Sequence, residues 1–220
     1  MLSQAVEDYL KAIYKLQGDS TVSTTDIAKA MDVSSASVTN MVKRLDQMGL
    51  VVYQSYKGAR LTDAGCKIAL EIIRHHRLLE LYLKEVMGYS WADLHKEAEH
   101  LEHHISEEFE DRIDQMLGYP THDPHGDPIP TRDGKVAPTI VDQLSDAEAG
   151  EPLEVKRVSD SDPELLHYLE DLGLLPGAKV QILKKEPFDG PISIKIEDTP
   201  KTVGFVVAQK VFVVPAGIGE

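Results

Sequence analysis

The stretch that decides the fold is STTDIAKAMDVSSASVTNMVKRLDQMGLVVYQSYKGARLT, residues 23–62. Ser23 or Thr24 caps a helix over Thr25 to Met31. Asp32, Val33 and Ser34 make a short turn. The next helix runs from Ser35 or Ala36 to Met48, with Val38, Met41, Val42 and Leu45 facing inward and Gly49 stopping it. Leu50 to Gln54 and Arg60 to Thr62 flank Ser55-Tyr56-Lys57-Gly58-Ala59, a β-hairpin pattern. Upstream, Val6, Leu10, Ile13, Tyr14 and Leu16 fall near helical spacing, and Gly18, Asp19 and Ser20 end that helix. A helix, a helix-turn-helix and a hairpin in this order predict a winged helix-turn-helix over residues 1–64.

Working outward, the periodicity predicts two long helices. One spans about Asp63 to Met87, with Ile68, Ile72, Leu79, Leu83 and Val86 in its apolar stripe. The other spans about Trp91 to Leu117, with Leu94, Ala98, Leu101, Ile105 and Phe109 inward. Apolar faces this long call for a covering partner, which a second subunit supplies. Residues 118–138 are rich in proline and read as a non-helical linker, and 139–150 as connecting chain. From Pro152 the pattern turns to short strands: Leu153–Ser159, Lys179–Lys184, Ile192–Glu197, Val203–Val207 and Lys210–Val214. A helix over Pro163 to Leu172 interrupts them. The fold is therefore expected to be mainly α with a small β barrel at the C-terminus, in domains 1–64, 65–140 and 150–220.

A net charge of −14 argues against nucleic acid until its distribution is read. Residues 1–64 hold 7 basic and 7 acidic side chains, whereas 65–140 and 141–220 each hold 8 and 15. The densest basic cluster, Lys43, Arg44, Lys57 and Arg60, lies in the neutral third, and DNA affinity depends on the local patch that meets phosphate. A single cysteine, Cys66, excludes an internal disulfide framework. No apolar run is long enough to span a membrane, and the N-terminus has no secretory pattern, so a cytoplasmic location without membrane contact is expected.

Eight of the nine histidines lie between 75 and 125, among acids. Glu99, Glu102 and His103 sit at i, i+3 and i+4, so one helical face presents two carboxylates and an imidazole, with His95 a turn earlier. His76 and Glu80 repeat the i, i+4 spacing on the preceding helix. Asp123-Pro124-His125-Gly126 offers two donors on a rigid loop, and Asp160-Ser161-Asp162 a fourth group. Each alone has an ordinary structural alternative: a solvated face, a helix-edge ion pair, an Asx turn, a helix cap. Together they point to divalent cation binding. No nucleophile constellation or phosphate-cradling glycine loop occurs, so no enzyme is expected.

At these residues the chain resembles the diphtheria toxin repressor family of metal-dependent regulators. The resemblance runs through Glu7-Asp8-Tyr9-Leu10-Lys11-Ala12-Ile13-Tyr14, Val38-Thr39-Asn40-Met41-Val42-Lys43-Arg44-Leu45, His76-Arg77-Leu78-Leu79-Glu80 and Glu99…Glu102-His103. It implies a helical dimerisation domain after the DNA-binding domain and an SH3-like C-terminal domain. It also implies two metal sites per subunit. One takes Asp8, Glu99, Glu102 and His103; the other takes Glu80, Asp123, His125 and Asp160, and His76 and His95 line these sites in parts of the family. Iron-type members carry Met and Cys where this chain has Asp8 and Glu99, and relatives often carry Cys at the position of Asp123. Oxygen donors with imidazole suit Mn(II), and Fe(II) accepts the same set. Some manganese-type members have an acid where this chain has Lys11.

The reading is a Mn(II)-activated homodimeric repressor of metal-homeostasis genes, such as manganese uptake, acting on a palindromic double-stranded DNA operator. Its alternative is an iron-responsive regulator of the same type. Ser37, Thr39 and Asn40 are placed for base edges, and Lys43, Arg44, Lys57 and Arg60 for phosphates. A winged-helix regulator sensing an organic ligand and a divalent-metal hydrolase are the rival classes.

Overall fold

The computed structural model describes residues 2–18, 20–91, 93–139, 141–160 and 162–217, which fall into two compact units. The first comprises residues 1–76, 100–110 and 130–136; the second comprises 77–99, 111–129 and 137–220.

The first unit opens with α1 (Gln4–Gln17), α2 (Thr24–Ala30) and α3 (Ser35–Gln47), followed by β1 (Val51–Gln54) and β2 (Gly58–Leu61). The caps explain the helix starts. Ser23 Oγ accepts from Asp26 N–H and Ser34 Oγ from Ser37 N–H, each satisfying a donor that the first turn leaves unpaired. β1 and β2 pair antiparallel, and Ala59 also bridges to Val22, so the strand before α2 joins the hairpin. Gly58, at φ +102°, is required there, since a Cβ would lie 2.3 Å from Val22 O. Leu10, Ile13, Ile27, Val38, Val42 and Leu45 are buried together and lock the helices to the hairpin. The winged helix-turn-helix pattern is realised.

The helix α4 (Asp63–Glu85) is as long as its periodicity predicts. The next predicted helix is not continuous: α5 (Leu94–Leu101) and α6 (Glu107–Met116) replace a single span of 91–117. Ser106 is the reason. Its hydroxyl accepts from Phe109 N–H at 3.2 Å, and Glu107, Glu108 and Glu110 crowd the new first turn, where acids favour a helix N-terminus. Glu102 and His103 consequently lie in the turn after α5, not on a helix face. Two stripe residues also turn outward: Val86 is 50% and Phe109 44% exposed.

The second unit contains a six-stranded antiparallel sheet in the order β3-β8-β4-β5-β6-β7. Its strands are β3 (Asp142–Gln143), β4 (Pro152–Val158), β5 (Lys179–Lys185), β6 (Ile192–Ile196), β7 (Thr199–Val203) and β8 (Val211–Pro215). β6 shows the cleanest alternation, with Ile192, Ile194 and Ile196 buried. The expected connecting chain at 139–150 includes the short edge strand β3, and the expected strand Val203–Val207 is corrected. β7 comes earlier, because Glu197, at φ +53°, makes a tight turn after β6. Phe205–Ala208 form one helical turn, α8, of which only Ala208 is buried. An unbroken apolar run does not reveal its own period. α7 (Pro163–Leu172) starts where expected, with Asp162 capping and Pro163 in the first turn, and Gly173 closes it at φ 74°.

β4 carries a bulge between Val155 and Arg157. The loop Asp123–Gly126 lies against this stretch: Val158 N–H donates to His125 O at 2.9 Å. A Cβ on Gly126 would sit 1.9 Å from Lys156 O, so only glycine lets the loop approach. The linker loop is thus seated on the sheet by backbone contacts.

Candidate metal centres and nucleic-acid interface

In the first unit, α1 and the turn after α5 bring donors together. Ligand atoms of Asp8, Glu102 and His103 lie within 4.8 Å of one another. His103 Nδ1 is 2.7 Å from Glu7 Oε2, a contact that fixes the ring as an Nδ1–H donor. In the neutral tautomer that this contact selects, Nε2 carries the lone pair. That nitrogen is buried and misaligned for a hydrogen bond, and it faces Asp8 Oδ1 at 2.9 Å and Glu102 Oε1 at 3.3 Å. Glu102 is fully buried, and its carboxylate is shared by Lys11 Nζ (2.9 and 2.8 Å) and His76 Nδ1 (2.5 Å). Behind it, His75 spans Glu102 O (3.1 Å) and Glu110 Oε2 (3.3 Å). Burial alone would raise Glu110, but hydrogen bonds and charge from His75 and Arg74 outweigh it and hold the carboxyl at about 2.

The second unit assembles another set. Glu80 and His125 are fully buried, with His125 Nε2 3.8 Å from Glu80 Oε1 and His95 Nδ1 2.9 Å from the same oxygen. Both ring nitrogens of His125 are buried without hydrogen-bond partners among the described residues, and Trp91 packs its ring 4.8 Å away. Burial lowers the His125 pKa, which keeps the imidazole neutral as a ligand must be. Asp123 is pushed well above the ordinary carboxyl range, first by burial and then by the charges of Glu80 and Asp127, with Arg77 opposing. Its Oδ1 accepts from the N–H groups of His125 (2.8 Å) and Asp127 (2.9 Å), so it shapes its own loop as an Asx turn. Its Oδ2 lies 3.4 Å from Arg77 Nε. Asp160 is half-buried and its charge acts on His125. An unpaired buried imidazole beside repelling carboxylates is costly without a cation, so this donor set fits a divalent ion.

Glu99, expected beside Asp8, belongs to the second unit, with its carboxylate 3.8 Å from His95 Nε2. His76 belongs to the first unit and orients Glu102. Two participants escape sequence reasoning, Glu7 and Trp91; Lys11 stands out in the sequence as a departure from the family's acid, but its pairing with Glu102 does not. The adjacency of Glu7 to Asp8 was a usable signal for the first, whereas nothing in the spacing points to Trp91.

The start of α3 presents Ser37 and Asn40 to solvent, and Thr39 is half-buried with its hydroxyl on Ser35 O at 2.8 Å. Ser37 Oγ is 2.9 Å from Ser34 Oγ. Lys43, Arg44, Lys57 and Arg60 are exposed. Thr21 Oγ1 donates to Lys57 O at 2.7 Å and steadies the hairpin tip.

Comparison with known proteins gives matches along the chain. Residues 1–59 match the iron dependent repressor N-terminal DNA binding domain, and residues 62–131 the iron dependent repressor metal binding and dimerisation domain. Residues 143–215 match the FeoA domain. The iron-dependent repressor IdeR of Mycobacterium tuberculosis is 32% identical over 195 residues, covering 82% of this chain and 84% of IdeR. The HTH-type transcriptional regulator MntR of Shouchella clausii is 40% identical over 122 residues, 54% of this chain and 83% of MntR. Among solved structures, a manganese-dependent transcriptional repressor in complex with manganese superposes with a TM-score of 0.87 at 37% identity, covering 96% of this chain and 99% of that one. ScaR with bound Cd2+ gives 0.81 at 34% identity, over 96% and 99%.

Proposed function

Because this chain belongs to the iron-dependent repressor family of metal-regulated transcriptional regulators, we propose that it is a repressor activated by Mn(II). It acts as a homodimer on a palindromic operator in the cytoplasm and performs no catalysis. Among the described residues no helix is long and apolar enough to cross a membrane. We assign two metal sites per subunit. Asp8, Glu102 and His103 make the first. Glu80, Asp123, His125 and Asp160 make the second, with His95 and Glu99 beside it and His76 positioning Glu102. The boundaries 1–64, 65–140 and 150–220 separate DNA binding, dimerisation with metal binding, and the SH3-like module.

The observation that carries the reading is the meeting of Asp8, on the first helix of a winged helix, with fully buried Glu102 and with His103, whose side chain is 2% exposed. A bound divalent ion supplies the positive charge that lets these donors close on a common point. Glu7 holds the His103 ring so that its lone pair faces that point. Asp8 then ties α1 to the turn after α5, which fixes the attitude of α3 through the shared core. Each recognition helix is held ready for a major groove, where Ser37, Thr39 and Asn40 meet base edges and Lys43, Arg44, Lys57 and Arg60 meet phosphates. DNA and ion favour each other by reciprocal linkage. The hard oxygen-rich donor set favours Mn(II) over softer ions, and Fe(II) is the alternative effector.

Fluorescence anisotropy on DNA from the protein's own upstream region tests this. Tight binding is expected with Mn(II) and weak binding with chelator; equal affinity in both overturns the metal switch.

A further inference from the structure

Lys11 is a cation placed among ligands. Its side chain is only 7% exposed, and the Glu102 side chain it pairs with is not exposed at all. Buried lysines are rare because losing the hydration of the ammonium is costly unless it is paired. The α1 spacing puts Asp8 and Lys11 three residues apart, so carboxylate and ammonium emerge on neighbouring positions of one helical face. Lys11 Nζ reaches both oxygens of Glu102, at 2.9 and 2.8 Å, and lies 3.3 Å from His76 Nδ1. Glu102 Oε1, held by the ammonium, is the same oxygen that faces His103 Nε2 at 3.3 Å, so the ammonium occupies a donor of the candidate site.

We propose that Lys11 is an internal counter-cation that holds Glu102 in the metal-free protein and competes with the divalent ion for it, thereby setting the affinity of the first site. The proposal rests on the assignment of Asp8, Glu102 and His103 as ligands. Two effects act in the same direction. Without the ion, the ammonium offsets the mutual repulsion of Glu7, Asp8 and Glu102, so the ion relieves less strain when it arrives. With the ion bound, two cations share one carboxylate and repel across a short, poorly screened distance. Metal binding is weakened by a residue that donates nothing to the metal. The site then responds only when the free ion is abundant, as a sensor of excess requires.

The test is calorimetric titration of Mn(II) into the full-length His125→Ala protein, in which the second site is disabled. Lys11→Met removes the charge and keeps the volume. Lys11→Gln removes the charge and keeps a donor to Glu102, which guards against misfolding. Both are expected to bind Mn(II) at least about tenfold more tightly than Lys11 protein, as the loss of a close like charge demands. Both are also expected to melt lower in chelator and to gain more on adding Mn(II). His103→Ala in the same background separates the two levels of the argument. A site that persists in His103→Ala overturns the ligand assignment and the Lys11 proposal with it. A site that needs His103 yet shows the same Kd in Lys11→Gln overturns the Lys11 proposal alone.

Discussion

The two donor clusters use the same chemistry but are poised differently. Around Glu102, charges are already compensated: Lys11 and His76 hold the carboxylate, and Glu7 holds His103. Around His125 the compensation is incomplete: Arg77 and His95 reach Asp123 and Glu80, but both His125 ring nitrogens lack hydrogen-bond partners among the described residues, and burial with the charges of Glu80 and Asp127 still disfavours the Asp123 anion. The first cluster is preorganised by the Lys11 ammonium and by hydrogen bonds, so an ion adds to a structure that stands without it. The second is internally frustrated, so an ion contributes stability as well as signal. A buried imidazole with no partner costs free energy in the metal-free state, and that cost is returned on ligation.

The largest expected effect strikes the first cluster. Glu102→Ala leaves Lys11 buried beside no carboxylate, a change that costs on the order of 3–5 kcal/mol for a broken buried pair. Chemical denaturation in chelator should register that loss, and Glu102→Ala should also abolish Mn(II)-dependent DNA binding. A loss below about 1 kcal/mol, typical of an exposed pair, would mean that the cluster is not preorganised by charge.

The second cluster should show the opposite dependence. His125→Ala is expected to change metal-free stability little, because it removes an unsatisfied ring. It should instead erase most of the stabilisation that Mn(II) confers on this unit, about 2.7 kcal/mol at a hundredfold excess over Kd. Differential scanning calorimetry with and without Mn(II) measures both terms. An undiminished Mn(II)-induced shift would remove His125 from the ligand set and erase the contrast.

A smaller effect sharpens the role of Glu7. Glu7→Gln keeps the size but weakens the acceptor that orients His103. Loss of such an outer partner costs roughly 10–100-fold in metal affinity. The titration described for Lys11 reads it directly, with the shift expected in the opposite direction. An unchanged Kd would show that packing alone holds the ring.

A separate effect, confined to low pH, concerns acid. Glu110 titrates at about 2 in the folded protein against an ordinary 4.5. A depressed carboxyl contributes stability above its unfolded value and loses it as pH falls through the folded one, so this contribution fades between about 4.5 and 2. Glu110→Gln should flatten that part of the stability profile. A profile as steep in the variant as in the parent would place the acid sensitivity elsewhere.

Much of this is legible in the sequence alone. The winged helix was readable because each of its elements announces itself locally: Ser23 and Ser34 as caps, Val38, Val42 and Leu45 at helical spacing, and strands flanking Gly58. The helix break was also local in origin, since Ser106 before Glu107 and Glu108 is a capping signal, but the longer apolar period of 91–117 masked it. Phe205-Val206-Val207 misled for a related reason, since an unbroken apolar run fits strand and helix alike. The candidate donors were legible by type, because carboxylates and imidazoles at short spacing are few in any chain.

What the sequence by itself determined is the set of local elements and the kinds of atoms able to meet a cation, for these follow from short-range periodicity and side-chain chemistry. Only the tertiary structure decided the company each donor keeps. Lys11 and Glu102 are 91 residues apart, as Glu7 and His103 are 96 apart, and no helical or strand period reports on such distances. Burial completed the distinction. It strips water from the Lys11–Glu102 pair and from His125 alike, and whether a partner replaces that water decides which cluster stands without an ion.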